Sequence, residues 1–346
     1  MLTQLTLRRN VSAVNIQEAA VKFAVAAFAI VMLGATPAVS AGFEQTMVPD
    51  PAGPALEVGI WYPSKDPAAP RRLGLFEQTV ADGGTVAGLG LPLIVMSHGS
   101  GGSFEGHYDT ALALAEAGFV VAAVTHTGDN YREHTQFSRL ENRPRHIKVL
   151  IDYMLASWPH HDTIDPSRIG MFGFSAGGFT ALVAIGGTPD MSAVPPFCAA
   201  HPDDWSCRMI KERNIDISGR STEATDWVHD PRIAAAVIAA PAVGYAFSTK
   251  PLSAVTVPIQ LWRGDKDEIL PDPNYAQTVY DRLPVKPEYH VVQNAGHFAF
   301  LAPCSPSLAA MVPEICHDPE GFDRTAFHRE FNPAVVAFFK AKLPGH

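Results

Sequence analysis

The chain has 346 residues, of which 47% are hydrophobic and 18% charged, a composition that suits a globular core and excludes a disordered chain. The formal net charge is −9 and no basic stripe is visible, so nucleic acid is not expected as a partner. Composition and charge therefore favour an acidic globular protein, and the motifs must indicate what it does.

Residues 1–41 have the pattern of a secretory signal peptide. Two arginines and Lys22 precede the apolar run FAVAAFAIVMLGA, and small residues follow that run. The run has 13 residues, fewer than the roughly 20 that a membrane-spanning helix needs, which argues against an anchor. We therefore expect export to the periplasm or the medium, with cleavage after Ala41 and a single domain over 42–346.

The rest of the chain alternates short apolar runs with amphipathic stretches, the pattern of an α/β fold with a mostly parallel central sheet and helices on both faces. Seven runs predict strands, at 56–63, 91–98, 119–126, 168–174, 233–241, 257–264 and 288–296. Helices are predicted at 105–117, 143–157, 176–186, 274–283 and 325–343. Several of the strands are apolar nearly throughout, as expected where helices cover both faces of a sheet.

The longest interruption of this alternation is the segment 187–231, which is too long for an ordinary connection. Its large apolar side chains are Phe197, Trp205, Met209 and Trp227. We expect short helices here and interpret the segment as a lid over an acyl pocket, with a surface decoration as the alternative.

The four cysteines all lie after the predicted signal. An even number in an exported chain favours disulfides, and four cysteines allow three pairings. We favour Cys198 with Cys207 and Cys304 with Cys316, because each of these pairs lies within one proline-rich loop region. Four free buried thiols are the alternative.

The motif that points to chemistry is GFSAG, at residues 173–177, between a predicted strand and a predicted helix. A G-x-S-x-G sequence in that position forms a tight turn that exposes a serine hydroxyl, and it places the next amide at a helix N-terminus. Ser175 is therefore the predicted nucleophile. An ordinary glycine-rich turn is the alternative interpretation.

A nucleophilic serine needs a base and an orienting carboxylate, which in this architecture follow in the order acid, then histidine. His297 comes directly after the last predicted strand and is the expected base. The strand before it ends in GDKDEILP, which offers three acids. We favour Asp267, because Asp265 lies too close to the strand end, and Glu268 is third.

The negative oxygen that forms during ester attack needs backbone amides aimed at it. The flexible stretch SHGSGG, at residues 97–102, follows an early strand and can turn amides inward. We expect the amides of Ser100 and Ala176 to form this oxyanion hole. His98 is expected to have a structural hydrogen-bonding role.

These segments together resemble the α/β-hydrolase superfamily, and most closely bacterial dienelactone-hydrolase-like proteins and plasma-type platelet-activating factor acetylhydrolases. The similar stretches are MSHGSGGSFEGHYDTALALAEAGFVVAAVTH (96–126), GFSAGGFTAL (173–182), GDKDEILP and AGHF. The resemblance implies an eight-stranded sheet, no cofactor and hydrolysis of carboxylic esters, with a small-molecule or lipid-like ester as substrate.

Two departures from the resemblance matter. Dienelactone hydrolases use a cysteine nucleophile, whereas this chain has Ser175. The acetylhydrolases take their acid from the strand before the one chosen here, and the corresponding VIAAPAV (237–243) contains no carboxylate. Neither specific activity is therefore carried over, and the second departure supports Asp267 as the acid.

The sequence thus predicts an exported serine esterase without cofactor or metal. Two histidine-containing stretches, REH at 132–134 and HHD at 160–162, lack the spacing of a tetrahedral metal site. An amidase or peptidase with the same triad, and a catalytically silent protein that binds a hydrophobic ligand, are the alternatives.

Overall fold

The structure is a computed structural model that describes residues 40–215, 227–247 and 249–345. Within these ranges ten strands form one sheet. They are β1 (Ser40–Val48), β2 (Leu56–Ser64), β3 (Ala69–Leu73), β4 (Phe76–Asp82), β5 (Leu91–Ser97), β6 (Val120–Thr125), β7 (Ile164–Phe174), β8 (Ile233–Ala239), β9 (Ile259–Gly264) and β10 (Glu288–Val292). All seven predicted strands are present.

The helices of the described ranges are α1 (Tyr108–Glu116), α2 (Asn142–Ala156), α3 (Ala176–Ala184), α4 (Val194–Ala200), α5 (Trp205–Glu212), α6 (Thr249–Leu252), α7 (Ala276–Arg282), α8 (Pro306–Met311), α9 (Pro313–Cys316) and α10 (Arg324–Lys342). The five helices predicted from periodicity correspond to α1, α2, α3, α7 and α10. No helix of the described ranges has both the length and the hydrophobicity that a membrane span requires.

The sheet runs in the order β10-β9-β8-β7-β5-β6-β2-β1-β4-β3. The six strands from β10 to β6 are parallel to one another. β2 pairs antiparallel with β6 and with β1, and the β3–β4 hairpin lies at the far edge. The carboxyl ends of the parallel strands therefore meet at one edge of the sheet, which is where ligands bind in open α/β folds.

Alternate side chains of the central strands pack into two separate hydrophobic cores. In β5, Leu93 and Val95 pack into the core under α2 and α3, while Ile94 and Met96 pack into the core under α1 and α10. Because both faces of these strands are covered, nearly every position in them is buried and apolar. The elements that carry the functional loops are held by these two cores.

The sheet has ten strands rather than the eight that the resemblance implies. The seven runs identified in the sequence did not include β1, β3 and β4. β3 and β4 lie at the sheet edge, and most residues of APRRL in β3 are exposed or half-buried. In β1 the second half alternates between exposed and half-buried positions. Such strands lack the continuous apolar run that marks a strand covered on both faces.

β1 begins at Ser40, before the predicted cleavage site. Ser40 and Ala41 pair with Ser64 and Pro63 of β2, and Ala41 is fully buried. The Ser40 hydroxyl also donates to the carbonyl oxygen of Asp66 at 2.9 Å. Cleavage after Ala41 would remove these two pairs from β1. The signal peptide itself lies outside the described residues and stays a prediction.

Both predicted disulfides are present. Cys198 is bonded to Cys207 and Cys304 to Cys316, and no described cysteine is free. The first bond joins α4 to α5 within the long segment 187–231, which contains short helices as predicted. Residues 216–226 of that segment lie outside the described ranges.

Candidate active site

Ser175 lies at a sharp turn between β7 and α3. Its backbone has φ 56° and ψ −116°, in the left-handed region that residues other than glycine seldom adopt. The flanking glycines allow this turn. A Cβ at Gly173 would lie 2.1 Å from the carbonyl oxygen of Gly177, and one at Gly177 would lie 1.9 Å from that of Ser97. The G-x-S-x-G spacing thus reflects two backbone contacts that exclude any side chain.

A chain of hydrogen bonds joins the three residues predicted to carry the chemistry. His297 Nε2 lies 3.1 Å from Ser175 Oγ, and His297 Nδ1 lies 2.8 Å from Asp267 Oδ2. The three residues follow β7, β9 and β10, so the parallel sheet brings together side chains that are 122 and 30 positions apart in the sequence. Both distances lie within hydrogen-bond reach.

Asp267 is held by its own loop. Its Oδ1 accepts the amides of Ile269 at 3.0 Å and Leu270 at 2.7 Å, which leaves Oδ2 for His297. Burial alone raises the pKa of this carboxyl group, but the charge and hydrogen bond of His297 together with the two amides outweigh burial, and the pKa lies below its usual value. The carboxylate is therefore ionised at neutral pH and accepts a hydrogen bond from the Nδ1–H group of His297.

The other acids and histidines considered in the sequence lie elsewhere. Asp265 is exposed, and Glu268 is exposed with its carboxylate 3.4 Å from the backbone nitrogen of His297. His290 stacks on Trp262 at a ring distance of 3.9 Å. Asp267 is thus the acid of its loop that contacts the His297 ring.

The two residues predicted for the oxyanion hole, Ser100 and Ala176, line the same cavity as Ser175. The Ala176 amide is at the first position of α3, where a helix has no internal acceptor for its N–H groups. The Ser100 amide makes no hydrogen bond to any of the described residues. Two amide donors therefore remain available near the nucleophile.

His98 has the structural role that the sequence suggested. Its Nε2 accepts the amide of His126 at 3.0 Å, so the ring is protonated at Nδ1, which donates to the carbonyl oxygen of Gly99. Burial and the nearby charge of Arg143 lower the pKa of His98 well below its usual value. The ring is therefore neutral and fixes the turn that leads to Ser100.

A cavity of about 260 Å³ opens next to the Ser175 hydroxyl. Its walls are mainly apolar and include Phe137, Leu140, Phe174, Met191, Val194, Trp205, Ile210, Ile215, Val243, Tyr245, Ile269, Leu270, Phe298 and Ile315. Among the described residues that line it, none is an aspartate, glutamate, lysine or arginine. The cavity therefore suits an uncharged apolar group.

The long segment 187–231 supplies part of the cavity wall. Trp205 and Ile210 of α5 line it, together with Met191 and Val194. Trp227 instead packs against Phe179 in the core, with ring centroids 5.6 Å apart. Of the four large apolar side chains named for this segment, Trp205 lines the cavity, while Phe197, Met209 and Trp227 are not among its described lining residues.

Sequence reasoning missed two buried charged residues beneath this site. Asp129, in the loop after β6, forms an ion pair with Arg143 of α2 at 2.7 Å, and both side chains are at most 4% exposed. A carboxylate shortly after a parallel strand is the same signal that indicated Asp267. Within the described ranges, no cluster of three potential ligands could hold a metal ion.

The model of the prolyl oligopeptidase family, Peptidase_S9, matches residues 106–195. No curated protein matches the chain. The structure is similar to ferulic acid esterase from Streptomyces cinnamoneus, with a TM-score of 0.60, 18% identity, and coverage of 90% of this chain and 92% of that chain. The chain has the α/β-hydrolase fold.

The α/β-hydrolase fold confirms the fold predicted from the sequence. The likeness to the esterase covers 90% of this chain, more than the stretch that the family model matches. The prolyl oligopeptidase match includes the Ser175 turn and supports a serine hydrolase. The two comparisons together support a hydrolase, and they differ in the bond that the similar proteins cleave.

Proposed function

We propose that the protein is an exported serine hydrolase that cleaves carboxylic esters through Ser175, His297 and Asp267. The observation that carries the proposal is the continuous hydrogen-bond chain from Asp267 Oδ2 through the imidazole to Ser175 Oγ, which ends at the wall of an apolar cavity. This is the arrangement that nucleophilic acyl transfer needs. No cofactor takes part in it.

In the first half of the proposed reaction, Ser175 Oγ attacks the ester carbonyl carbon while its proton passes to His297 Nε2. The Asp267 carboxylate stabilises the imidazolium and keeps Nδ1 protonated. The carbonyl oxygen becomes an oxyanion that accepts hydrogen bonds from the Ser100 and Ala176 amides. The C–O bond then breaks, and the imidazolium returns the proton to the leaving alcohol, which yields an acyl-enzyme.

In the second half, a water molecule attacks the acyl-enzyme. His297 Nε2 takes the water proton and then gives it to Ser175 Oγ as the acid departs. The net reaction adds one water across the ester bond and restores the starting protonation of all three residues. Because the described residues of the cavity lining carry no carboxylate or ammonium group, we propose that the acyl or alcohol group it holds is apolar and uncharged.

Amide cleavage is the second candidate, and the match to the prolyl oligopeptidase family favours it. The triad serves both chemistries, so a direct comparison must separate them. We expect hydrolysis of an aryl ester to exceed hydrolysis of the anilide with the same acyl group. A preference for the anilide would replace the esterase proposal with a peptidase or amidase.

The test of the proposal as a whole is covalent labelling by a fluorophosphonate probe. We expect the purified protein to be labelled at Ser175 and to hydrolyse aryl esters. Ser175→Ala should abolish labelling and lower kcat by roughly 10³-fold or more, with an unchanged melting temperature. A folded wild-type protein that neither reacts with the probe nor hydrolyses esters would be the silent ligand-binding protein instead.

The proposal includes the domain organisation. We propose that residues 1–41 are a signal peptide, that 42–346 form one hydrolase domain, and that 187–231 act as a lid over the acyl cavity. Two disulfides are consistent with a secreted or periplasmic location, where oxidising conditions maintain them. Trp205 and Ile210, which line the cavity, support the lid.

A further inference from the structure

A buried ion pair lies directly beneath the two segments that carry the proposed oxyanion amides. Arg143 and Asp129 are 2.7 Å apart at Nη1 and Oδ2, and their side chains are 2% and 4% exposed. Burying two charges costs several kcal/mol per ion unless other hydrogen bonds offset the loss of water. The contacts that surround the pair therefore indicate what it stabilises.

On one side, the pair holds the turn that contains Ser100. Asp129 Oδ1 accepts the Gly101 amide at 3.0 Å, and Asp129 Oδ2 lies 3.3 Å from the Ser100 hydroxyl, which donates to it. Arg143 Nη2 donates to the carbonyl oxygen of His98. The His98 carbonyl and the Gly101 amide, on either side of the Ser100 amide, are thus fixed by hydrogen bonds. The Ser100 amide itself donates no hydrogen bond to any described residue.

On the other side, the pair holds the first turn of α3. Arg143 Nε donates to Thr180 Oγ1 at 3.2 Å, and the Thr180 hydroxyl donates to the carbonyl oxygen of Ala176 at 2.7 Å. Thr180 is fully buried, so no water competes for either bond. One guanidinium group therefore connects the segment of Ser100 with the segment of Ala176.

We propose that Arg143, Asp129 and Thr180 are positioning residues that fix the distance between the two halves of the oxyanion hole. This inference rests on the proposed function. Preorganised donors stabilise the transition state because they need no reorganisation as charge develops. The guanidinium nitrogens of Arg143 donate to both segments, and they thereby hold the Ser100 and Ala176 amides in place before the substrate binds.

The central experiment uses Thr180→Val, which keeps the shape of the side chain and removes the hydroxyl that links Arg143 to α3. We expect kcat for an aryl ester to fall about tenfold or more, because small displacements in an active site are costly, while KM changes less than about twofold. Thr180→Ser retains a hydroxyl and should restore most of kcat. An unchanged kcat in Thr180→Val would overturn the proposal.

A matched control separates positioning from a general loss of stability. Thr163, which is 9% exposed, donates its hydroxyl to the carbonyl oxygen of His160, outside the site. Thr163→Val should lower the melting temperature without lowering kcat. If Thr163→Val and Thr180→Val lose kcat equally, the Thr180 effect is structural and the proposal is wrong.

A second readout isolates the oxyanion itself. An aryl trifluoromethyl ketone forms a tetrahedral adduct with a serine and places its oxygen in the hole, whereas the corresponding alcohol forms no adduct. We expect Thr180→Val and Asp129→Asn to lose affinity for the ketone by the same factor as kcat/KM, and to keep their affinity for the alcohol. Equal losses of affinity for the ketone and for the alcohol would contradict the proposed positioning role.

Failure of this inference can be told from failure of the proposed function. If the wild-type protein hydrolyses no ester and binds no trifluoromethyl ketone, the esterase proposal fails. If the wild type does both and the Thr180 and Asp129 variants match it, only the positioning role fails.

Discussion

The absence of a side chain at Gly177 allows the backbone of the Ser175 turn to form. A Cβ there would lie 1.9 Å from the Ser97 carbonyl oxygen, so Gly177→Ala must push α3 away from the end of β5. Because Ser175 moves with α3, we expect kcat/KM to fall about 100-fold, together with a lower melting temperature. Esterase kinetics measure the change in kcat/KM, and thermal unfolding measures the change in melting temperature.

The control for this substitution is Gly106→Ala. The nearest atom to a Cβ at Gly106 is Leu301 Cδ2 at 3.7 Å, an ordinary contact. We expect this variant to keep wild-type activity and stability. If Gly177→Ala behaved like Gly106→Ala, the close approach of α3 to β5 would not be needed for the site.

At the level of single residues, the sequence predicted the three members of the hydrogen-bond chain better than the residues that support them. Ser175, Asp267 and His297 could be found because each follows an apolar run, and parallel strands bring such positions together. Arg143 could not, since a charged residue on an amphipathic helix is normally expected in solvent. Its partners include the carbonyl of His98, and backbone atoms leave no signal in a sequence.

The two short helices α4 and α5 contact the rest of the protein through Tyr245 and Tyr275. Its hydroxyl lies 2.8 Å from both carboxylate oxygens of Asp204, the N-cap of α5, and Phe197 of α4 stacks on Tyr245 at 3.6 Å. We expect Tyr275→Phe to release α5 and to raise KM for long-chain aryl esters about threefold to tenfold, since hydrogen bonds to charged groups contribute about 1.5–3 kcal/mol.

A comparison of aryl acetate with aryl palmitate measures the effect of Tyr275→Phe. The acetate should respond little, because a two-carbon acyl group fills less of the cavity that α5 lines. Tyr280, whose ring stacks on Tyr289 away from the cavity lining, supplies the control variant Tyr280→Phe. An unchanged chain-length preference in Tyr275→Phe would favour the surface-decoration interpretation of the segment 187–231.

For whole elements, the sequence pattern was reliable where both faces of a strand are covered. All six strands of the parallel part were predicted, and so was β2. The β3–β4 hairpin was missed because an edge strand buries one face at most, and its polar residues interrupt the hydrophobic pattern. β1 was missed because its second half lacks a continuous apolar run and its first two residues were assigned to the signal peptide.

Buried neutral histidines make the stability of the whole molecule dependent on pH. Burial lowers the pKa of His98 and His126 well below 6.5, that of His107 to about 4, and that of His146, with the charge of Arg145, to about 3. The unfolded chain binds protons at these residues near pH 6.5, whereas the folded chain does not. The contribution of these neutral histidines to the free energy of unfolding is therefore fully present above pH 6.5, and it falls as the pH drops below that value.

Urea unfolding between pH 7.5 and 4.5 tests this expectation. The free energy of unfolding should decrease steadily below pH 6.5, by up to about 1.4 kcal/mol per pH unit for each histidine that stays neutral in the fold. His146→Gln removes one such group and should make the decrease shallower. A free energy of unfolding that is independent of pH over this range would contradict the buried neutral state.

The two disulfides close loops that both border the acyl cavity, one through Trp205 and Ser206 and the other through Ile315. The catalytic hydrogen-bond chain, in contrast, is held by the sheet and contains no sulfur. A sample made in a reducing cytosol would lack both disulfides. It would therefore keep the Ser175 hydroxyl in place, while two walls of the substrate site would lose the covalent bonds that hold them. The choice of production host thus becomes a variable in any study of selectivity, and an assay for nucleophile reactivity alone would not detect the difference.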